Sequence, residues 1–305
     1  MNALTRSQFN VLSFLAQATS ENTVATVADS VGMSIADTAA QLEELTALGY
    51  ITDLFAVTES GIEALEPYRA RRVIFLAAGL GSRLRPATLN VPKPLVRVHG
   101  KPIICSAIEA ALSKGIEEIY IVRGYLGGAF DQLKQMYPQI HLIDNTVYTQ
   151  TNNVSSAMQV RHLFRHAYVM EADLLINNPD VFRKYNYTSN CVGVPVKKTT
   201  DWCVISENGL AKRLVQGGEN CHHLYSIYYW NEEDGAKLPA DLEDMYSTPE
   251  GKQNFWDIAP MNIYNSHYHI EIFEVSFEDI TEIDTYHELS LIDPDYAITP
   301  QGIVR

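Results

Sequence analysis

The sequence predicts an α/β protein with a doubly wound, mixed β-sheet, preceded by a small helical domain. From Arg71 onward, short runs of branched and aromatic residues alternate with helical patterns, which is typical of a sheet covered by helices on both faces. A glycine-rich turn directly follows the first of these runs. Residues 1–68 contain consecutive helical patterns and one short extended segment. We therefore expect two domains, at residues 1–68 and 71–305.

Composition and charge limit the function classes. The 305-residue chain is 46% hydrophobic and 20% charged, which suffices for a sizeable core in each of two domains. No apolar run approaches the roughly 18 residues that cross a bilayer, and the start lacks a signal-peptide pattern, so we expect a cytoplasmic protein. The net charge of -14 argues against broad binding of nucleic acid or anionic membranes, but it permits a small phosphorylated ligand held by local cations.

The first 68 residues show three helical patterns followed by a short extended segment that suits a two-stranded wing. This order resembles the winged helix-turn-helix of MarR-like regulators. The candidate recognition helix, Ser34 to Leu48, carries Asp37, Glu43 and Glu44 and no lysine or arginine, so it would repel a DNA duplex. We therefore expect residues 1–68 to be a docking, dimerisation or regulatory module rather than a DNA-binding domain. A homo-oligomer would form through this module.

The second region follows the order of a doubly wound sheet. Strands are predicted at "RRVIFLAAG", "EEIYIVRG", "IHLIDN" and "AYVMEADLL", and helices at "KPIICSAIEAALSKG", "GGAFDQLKQMYP" and "NNVSSAMQVRHLF". Further strands, some of them antiparallel, are predicted after Asn190. Ligands of such sheets bind at the carboxyl ends of the strands, so we expect chemistry in the loops after Ala78, Arg123 and Glu171.

Cysteines and histidines show no metal-binding spacing. The four cysteines are far apart in the chain, and we expect reduced, buried thiols at Cys105, Cys191, Cys203 and Cys221. The histidines on predicted strands lack the grouping of a zinc site, and we expect structural roles for His222, His223, His267 and His269.

The stretch "FLAAGLGSRLRPATLNVPKPLV" is the most specific motif. A glycine-rich turn after a buried strand lets backbone N–H groups approach a phosphate, and Arg83, Arg85 and Lys93 supply positive charge. The longer pattern, from Leu76 to Thr88 and then Pro92-Lys93-Pro94, resembles the signature of nucleoside triphosphate transferases that act on sugar phosphates and related alcohol phosphates. The resemblance implies a Rossmann-like nucleotidyltransferase fold.

The resemblance also implies roles for residues of the loops. The backbone from Ala78 to Ser82 would hold the triphosphate. Arg83 and Lys93 would be the two catalytic cations: Arg83 would counter the charge of the departing pyrophosphate, and Lys93 would bridge the α-phosphate and the incoming phosphate. The amides and hydroxyls of "TNNVSS" suit a pyrimidine and a ribose, although helix capping explains them equally well. The expected nucleotide-binding set is Leu76, Ala77, Ala78, Gly79, Gly81, Ser82, Gly124, Tyr125, Asn152, Asn153 and Ser156.

A divalent cation, Mg2+, is expected as cofactor, because nucleotidyl transfer needs one and hard cations prefer carboxylate oxygens. Glu171 and Asp173 end a buried strand, while Glu282 and Asp284 lie two residues apart. The resemblance assigns the metal to Asp173 and Glu282, with Asp284 in support. Relatives commonly have aspartate where this chain has Glu171, so its role is left open.

A narrower resemblance links residues 71–290 to the bacterial CTP:phosphocholine cytidylyltransferases through "NNVSSAMQV", "EADLL", "TTDWCVI", "FWD" and "ITEIDTYHEL". It implies CTP and phosphocholine as substrates. A quaternary ammonium is recognised by aromatic faces near a carboxylate, and the expected choline box is Trp202, Phe255, Trp256, Asp257 and Tyr228. One alternative is that the nucleotidyl group is transferred to 2-aminoethylphosphonate or to a sugar 1-phosphate. The other alternative is that the protein is a transcriptional regulator that senses a nucleotide.

Overall fold

The computed structural model describes residues 3–19, 22–299 and 302–303. The chain divides into two compact units, Met1–Arg69 with Tyr185–Tyr187, and Ala70–Lys184 with Thr188–Arg305. The sequence analysis did not anticipate that residues 185–187 would join the first unit. They do so because Asn186 N–H donates to the carbonyl of Tyr68 and Tyr185 forms a bridge with Arg69.

The first unit contains four helices: α1 (Arg6–Leu15), α2 (Val24–Val31), α3 (Ile35–Ala47) and α4 (Glu59–Leu65). Thr5, Thr23, Ser34 and Thr58 cap their N-termini with side-chain oxygens. The predicted wing is reduced to one antiparallel bridge between Ile51 and Val57. The winged-helix assignment therefore stays a prediction, while the helices themselves are present.

The second unit carries the helices α5 (Ile103–Ser113), α6 (Leu133–Met136), α7 (Val154–Val160), α8 (Glu232–Tyr246) and α9 (Tyr286–Ile292). Its strands are β1 (Arg72–Ala77), β2 (Arg97–Val98), β3 (Lys101–Pro102), β4 (Glu118–Arg123), β5 (Ile140–Asp144), β6 (Ala167–Glu171), β7 (Leu174–Ile176), β8 (Ser189–Glu207), β9 (Leu210–Trp230), β10 (Ile270–Glu274), β11 (Ile280–Glu282), β12 (Ile298–Thr299) and β13 (Gly302–Ile303). No helix within the described ranges is long and apolar enough to span a membrane.

A seven-stranded mixed sheet, in the order β10-β8-β9-β6-β1-β4-β5, organises this unit. β1 runs parallel to β4 and β6, whereas β9 runs antiparallel to β6 and β8. Separate apolar clusters pack around alternate residues of β1, with Phe75 in one and Ile74 in the other. Such alternation is expected of a strand with helices on both faces, and it agrees with the predicted α/β fold.

Two features of the sheet position the site. Leu76 is paired with Glu171 and Ala77 with Arg123, so the carboxyl ends of β1, β4 and β6 meet at one edge. β11 pairs antiparallel with β7, which places Glu282 opposite Leu174. The backbone N–H of Ile283 also donates to the carbonyl of Asp173 at 3.4 Å. Acids more than 100 residues apart in the chain therefore become neighbours.

Candidate active site

A cavity of about 550 Å³ opens at the carboxyl edge of β1, β4 and β6. Its volume lies in the range of small-ligand sites, roughly 300–1,000 Å³. Residues from the glycine turn, from α7 and its preceding loop, from β8 and β9, and from both acidic segments line it. Of the residues expected from the sequence, the lining includes Leu76, Ala78, Gly79, Arg83, Asn152, Asn153, Ser156, Asp173, Trp202, Phe255, Asp257, Glu282 and Asp284.

The glycine turn is held in a conformation that requires glycine. Gly81 has a φ of 58°, and a Cβ at this position would lie 2.8 Å from the Cβ of Lys93. Thr88 fixes the turn, since its hydroxyl donates to the Gly81 carbonyl at 2.8 Å. Tyr125 ties the same loop through its phenol, which donates to the carbonyls of Thr88 and Leu89, both at 3.1 Å. Tyr125 therefore supports the turn from outside the lining of the cavity.

Gly124 lets the Tyr148 ring and Ala78 pack closely against the backbone that follows β4. A Cβ there would lie 2.7 Å from the Tyr148 ring and 2.9 Å from the Cβ of Ala78. The predicted nucleotide residues Ala77, Gly81, Ser82, Gly124 and Tyr125 are not part of the cavity lining. Tyr148 and Asn145, which sequence reasoning missed, do line it.

Lys93 lies between two carboxylates. Its Nζ is 2.7 Å from Asp173 Oδ2 and 3.0 Å from Asp284 Oδ1, and Arg83 Nη2 is 2.9 Å from the same Asp284 oxygen. Burial lowers the pKa of Lys93, but the two carboxylates outweigh burial and leave the pKa raised overall. Lys93 is therefore a charged ammonium at neutral pH, and the structure brings it together with Arg83.

Three carboxylates form a compact acidic group. One oxygen each of Asp173, Glu282 and Asp284 lies within 4.8 Å of the other two. Burial and the nearby Asp173 and Asp284 raise the pKa of Glu282 to about 8, and Asp173 Oδ1 is buried without a partner among the described residues. Uncompensated oxygens of this kind are the ligands that Mg2+ prefers, so the donor set fits the expected ion.

Glu171 serves a different purpose from these three acids. It accepts a hydrogen bond from the Asn153 amide at 2.6 Å, and burial and then Asp173 raise its pKa to about 8. The side-chain amide oxygen of Asn153, Oδ1, accepts from the backbone N–H of Trp256 at 2.9 Å. Asn153 thus positions the Trp256 segment, with Glu171 as its anchor.

Asn145 organises the loop that precedes α7. Its amide nitrogen donates to Ser155 Oγ at 2.8 Å and to Ser156 Oγ at 3.0 Å, and all three residues are buried. The Asn152 amide donates instead to the carbonyl of Gln253. Asn145 directly follows β5, and this place at the end of a predicted strand is the signal by which it could have been found.

The expected choline box is only partly assembled. Trp202 and Phe255 line the cavity, with ring centroids 5.7 Å apart in an edge-to-face arrangement. Trp256 and Tyr228 are fully buried, so their assignment to a ligand-binding box was wrong. Trp256 packs in the core against Phe164 and Tyr228, with centroids 5.9 and 5.1 Å away.

Asp257 does reach the cavity. It is 4% exposed, and its Oδ2 accepts a hydrogen bond from the Tyr228 phenol at 2.9 Å. Its Oδ1 is buried without a partner in the described part of the chain. Burial raises the pKa of Asp257 to about 6, although the Tyr228 hydroxyl acts in the opposite direction. Asp257 therefore brings a carboxyl group to the wall of the cavity, and the backbone N–H groups of Asp257 and Ile258 also act to lower its pKa.

The histidines differ from one another. His267 Nδ1 lies 2.9 Å from Asp241, and His222 Nε2 lies 3.0 Å from Glu274, as expected of structural contacts. His223 instead lies with Asp201 and Glu282, with candidate ligand atoms all within 4.8 Å of one another. Burial lowers the pKa of His223, whereas Asp201 raises it.

Residues 72–214 match the family model described as nucleotidyl transferase. The 2-aminoethylphosphonate cytidylyltransferase of Lancefieldella rimae is 32% identical over 73% of this chain and 92% of its own length. The choline-phosphate cytidylyltransferase of Streptococcus pneumoniae is 32% identical over 71% of this chain and 94% of its own.

Solved structures agree with this relationship. The CTP:phosphocholine cytidylyltransferase from Streptococcus pneumoniae superposes with a TM-score of 0.69 at 28% identity, covering 74% of this chain and 98% of its own. The inositol-1-phosphate CTP transferase from T. maritima shares the fold, with a TM-score of 0.56 at 14% identity over 76% of this chain and 99% of its own. The chain thus belongs to the nucleotidyl transferase family, and relatives that it matches over most of their length are cytidylyltransferases.

Proposed function

We propose that this nucleotidyltransferase moves a cytidylyl group from CTP to a small phosphate or phosphonate that carries a cationic head, with Mg2+ as cofactor and phosphocholine as the first candidate. The cavity supports a cationic acceptor, because its lining among the described residues contains six carboxyl side chains and one basic side chain, Arg83. Lys93 offsets Asp173 and Asp284, whereas Asp257 has no such cation within the described ranges. A sugar phosphate has no cationic head, so it would leave the Asp257 carboxylate uncompensated.

The pair of Trp202 and Phe255 beside Asp257 is the observation that carries the choice of phosphocholine. Their rings line the same cavity as the Asp257 carboxylate. A quaternary ammonium has no N–H to donate, so aromatic faces and a nearby negative charge are the groups that attract it. Phe255 is 40% exposed, which leaves its ring surface available to a ligand.

The chain's own residues suit an in-line displacement. An oxygen of the acceptor attacks the α-phosphorus of CTP, a new P–O bond forms, and the bond to pyrophosphate breaks with its electrons on the leaving group. Lys93 and Arg83 would neutralise the charge that develops, and the turn at Gly79 would let backbone N–H groups approach the triphosphate. The acceptor is already an anion, so no general base is required.

Mg2+, held by Asp173, Glu282 and Asp284, would supply charge neutralisation on the phosphate oxygens. Asp173 and Asp284 hold Lys93 at hydrogen-bond distance, so the same two acids would bring the ammonium and the ion to one place.

A second candidate acceptor is 2-aminoethylphosphonate. Asp257 lines the cavity, and a primary ammonium could donate an N–H to its carboxylate whereas a trimethylammonium could not. The similarity to the Lancefieldella rimae enzyme also favours this acceptor.

A pyrophosphate-release assay separates these acceptors. We expect turnover with CTP, above that with ATP, GTP or UTP, and with phosphocholine above 2-aminoethylphosphonate and glucose 1-phosphate. Turnover restricted to 2-aminoethylphosphonate would select the second candidate, and absence of turnover with every acceptor and Mg2+ would contradict the proposal.

Substitution of Trp202 tests the aromatic recognition. We expect Trp202→Leu to raise the KM for phosphocholine about tenfold, since a desolvated cation–π contact contributes roughly 1–2 kcal/mol. Trp202→Phe is the matched control, because it keeps an aromatic face and should cost much less. The KM for CTP should be unchanged in both variants, and equal phosphocholine KM values for Leu and Phe would disprove the contact.

For the first unit we propose a winged-helix module that mediates contacts with protein, including a second copy of this chain. Asp37, Glu43 and Glu44 are exposed on α3, which contains no basic residue. The unit therefore lacks the cations with which a recognition helix contacts phosphates.

A further inference from the structure

The cytidylyl-transfer chemistry proposed above does not use His223 or Asp201, which lie close to Glu282. Candidate ligand atoms of Asp201, His223 and Glu282 lie within 4.8 Å of one another. Glu282 also belongs to the carboxylate group around Lys93, so the two groups share one acid. The histidine is what distinguishes the second group, because it adds an imidazole nitrogen to two carboxylates.

The register of the long hairpin brings these residues together. Cys203 is paired with His223 and Val204 with His222 across β8 and β9. Asp201 lies two residues before Cys203, at an irregularity of the strand, and a carboxylate oxygen of Asp201 lies within 4.8 Å of a ring nitrogen of His223. Successive side chains of a strand point to opposite faces, so His222 lies on the other face, where it contacts Ser206 and Glu274.

The ring of His223 is held in place without using its nitrogens. It packs edge-to-face against Tyr225 with centroids 5.1 Å apart, and at a tilt against Phe277 at 5.5 Å. Neither ring nitrogen has a hydrogen-bond partner among the residues that the structure describes. A polar ring that is fixed by apolar contacts and has both nitrogens unused is suited to binding a ligand.

The two carboxylates also have oxygens to offer. The Glu282 carboxylate is largely buried, and it makes no hydrogen bond or ion pair within the described ranges. Asp201 accepts one bond, from the backbone N–H of Trp202 to its Oδ1 at 2.7 Å, which leaves its Oδ2. Asp201 is exposed whereas Glu282 is partly buried, and two acids so close together would be neutralised by a cation between them.

We propose that Asp201, His223 and Glu282 form a second divalent-metal site, selective for a first-row transition ion. At bond lengths of about 2.0–2.2 Å, three ligand atoms spaced evenly around one ion lie about 3.5–3.8 Å from one another, so atoms that now lie within 4.8 Å of one another would have to close by up to about 1 Å. Imidazole favours transition ions over Mg2+, which prefers oxygen ligands throughout. With Glu282 as the shared acid, two ions would lie side by side.

The second ion would contact the acceptor, which links the site to the proposed function. Trp202 follows Asp201 directly and lines the cavity, so the ion would lie on the acceptor's side. Its charge would hold the phosphate or phosphonate group, while Asp257 and the aromatic pair hold the cationic head. Metal binding is measured without CTP or acceptor, so failure of this site and failure of the proposed transfer are distinguishable.

Mn2+ binding to the full chain tests the site. Equilibrium dialysis with Mn2+ alone should give two ions per wild-type chain, and electron spin-echo spectroscopy should detect an imidazole nitrogen on one of them. When Mg2+ is added in excess, the first Mn2+ ion to be displaced should be the one that shows no nitrogen coupling, because only carboxylates hold it. One bound ion without nitrogen coupling in the wild-type protein would overturn the proposal without recourse to any variant.

His222→Gln is the matched control for His223→Gln. The control keeps the neighbouring position polar but removes an imidazole that bonds to Glu274, so it should still bind two ions with nitrogen coupling. His223→Gln should bind one ion and lose the nitrogen coupling. Asp201→Asn should weaken the binding of the ion at the second site, which His223→Gln abolishes. Retention of nitrogen coupling in His223→Gln would assign the ligand to another histidine and contradict the site.

Discussion

Lys93 shows how one side chain depends on distant parts of the sequence. The residue is 9% exposed, and its ammonium contacts Asp173 and Asp284, which lie 80 and 191 residues further along the chain. These acids keep the lysine charged in spite of its burial, and the lysine in turn offsets the repulsion between them. The contact therefore prepares both a cation for catalysis and acids for a metal ion.

We expect Lys93→Ala to lower kcat at least a hundredfold, because preorganised contacts of this kind contribute about 3 kcal/mol to the barrier. The variant should melt near the wild-type temperature when Mg2+ is present, since the ion would replace the missing charge. Lys101→Ala is the matched control, because Lys101 is an exposed lysine paired with Glu109. Near-full kcat in purified Lys93→Ala would refute the role.

We predict that Asp257 makes acceptor binding depend on pH. Its raised pKa of about 6 means that the carboxyl is neutral below that pH and anionic above it. We expect the KM for a cationic acceptor to fall as pH rises through 6, and Asp257→Asn to abolish that dependence. The acceptor's own phosphate titrates near pH 6, so the measurement is the ratio of variant to wild-type KM across pH 5–8. A constant ratio would contradict the assignment.

The same carboxyl should also affect stability. A folded-state pKa above the unfolded value of about 3.9 means that the native state holds the proton more tightly. Stability from this group is then greatest below pH 4, falls as pH rises towards 6, and is constant above that. Urea unfolding at pH 4, 5 and 7 should show a smaller loss in Asp257→Asn than in the wild-type protein, and the loss that remains belongs to Glu171 and Glu282, whose pKa values are also raised.

At the scale of elements, the glycine turn after β1 depends on backbone conformation. We expect Gly81→Ala to destabilise the protein by more than about 1–2 kcal/mol, since the left-handed conformation alone costs that much and the new Cβ would also clash with Lys93. Urea unfolding measures it. Gly100→Ala, with a φ of 80° and open space around it, should show only the conformational cost.

Gly128→Ala, where φ is not positive and no atom lies within 4 Å, should be almost neutral. If all three variants lose the same stability, the close contact between Gly81 and Lys93 does not matter. A specific loss of kcat in Gly81→Ala would show that this contact also positions the lysine.

The elements around the sheet were predictable where a simple period was present. The parallel strands β1, β4, β5 and β6 lie where their apolar runs predicted them. The predicted helix at "GGAFDQLKQMYP" is instead a 3₁₀ segment, Gly127–Gln132, followed by the short α6. The runs "CVGVPVKK" and "WCVISE", each of which predicts a strand after Asn190, are parts of one long strand, β8, because its polar middle alternates too weakly to show continuity.

The aromatic residues near Phe255 could not be sorted from the sequence. Phe255, Trp256 and Asp257 are adjacent, yet the first and third line the cavity and the second is fully buried. Adjacent residues often face opposite sides, but which side faces the core depends on the partners, here Phe164 and Trp230. Those partners lie on other elements, and the local sequence around Phe255 does not predict them.

For the whole molecule, the charge predicts which partners are excluded. We expect the full chain to show no salt-dependent binding of duplex DNA at 50 mM salt, because the net charge is -14 and α3 presents carboxylates. Fluorescence anisotropy with a labelled random duplex measures this, with a known basic DNA-binding domain as positive control. Binding with a steep salt dependence would instead favour the nucleotide-sensing regulator.

The sequence by itself determined the α/β class, the glycine turn, the basic pair of Arg83 and Lys93, and the acids expected to hold a metal ion, because each depends on local spacing or on a contiguous motif. Only the tertiary structure decided that Asp173, Glu282 and Asp284 share one place, that Trp256 and Tyr228 belong to the core, and that His223 joins Asp201. These outcomes depend on strand register and on packing between residues that are distant in the chain. Local sequence patterns do not predict the free energies of such contacts.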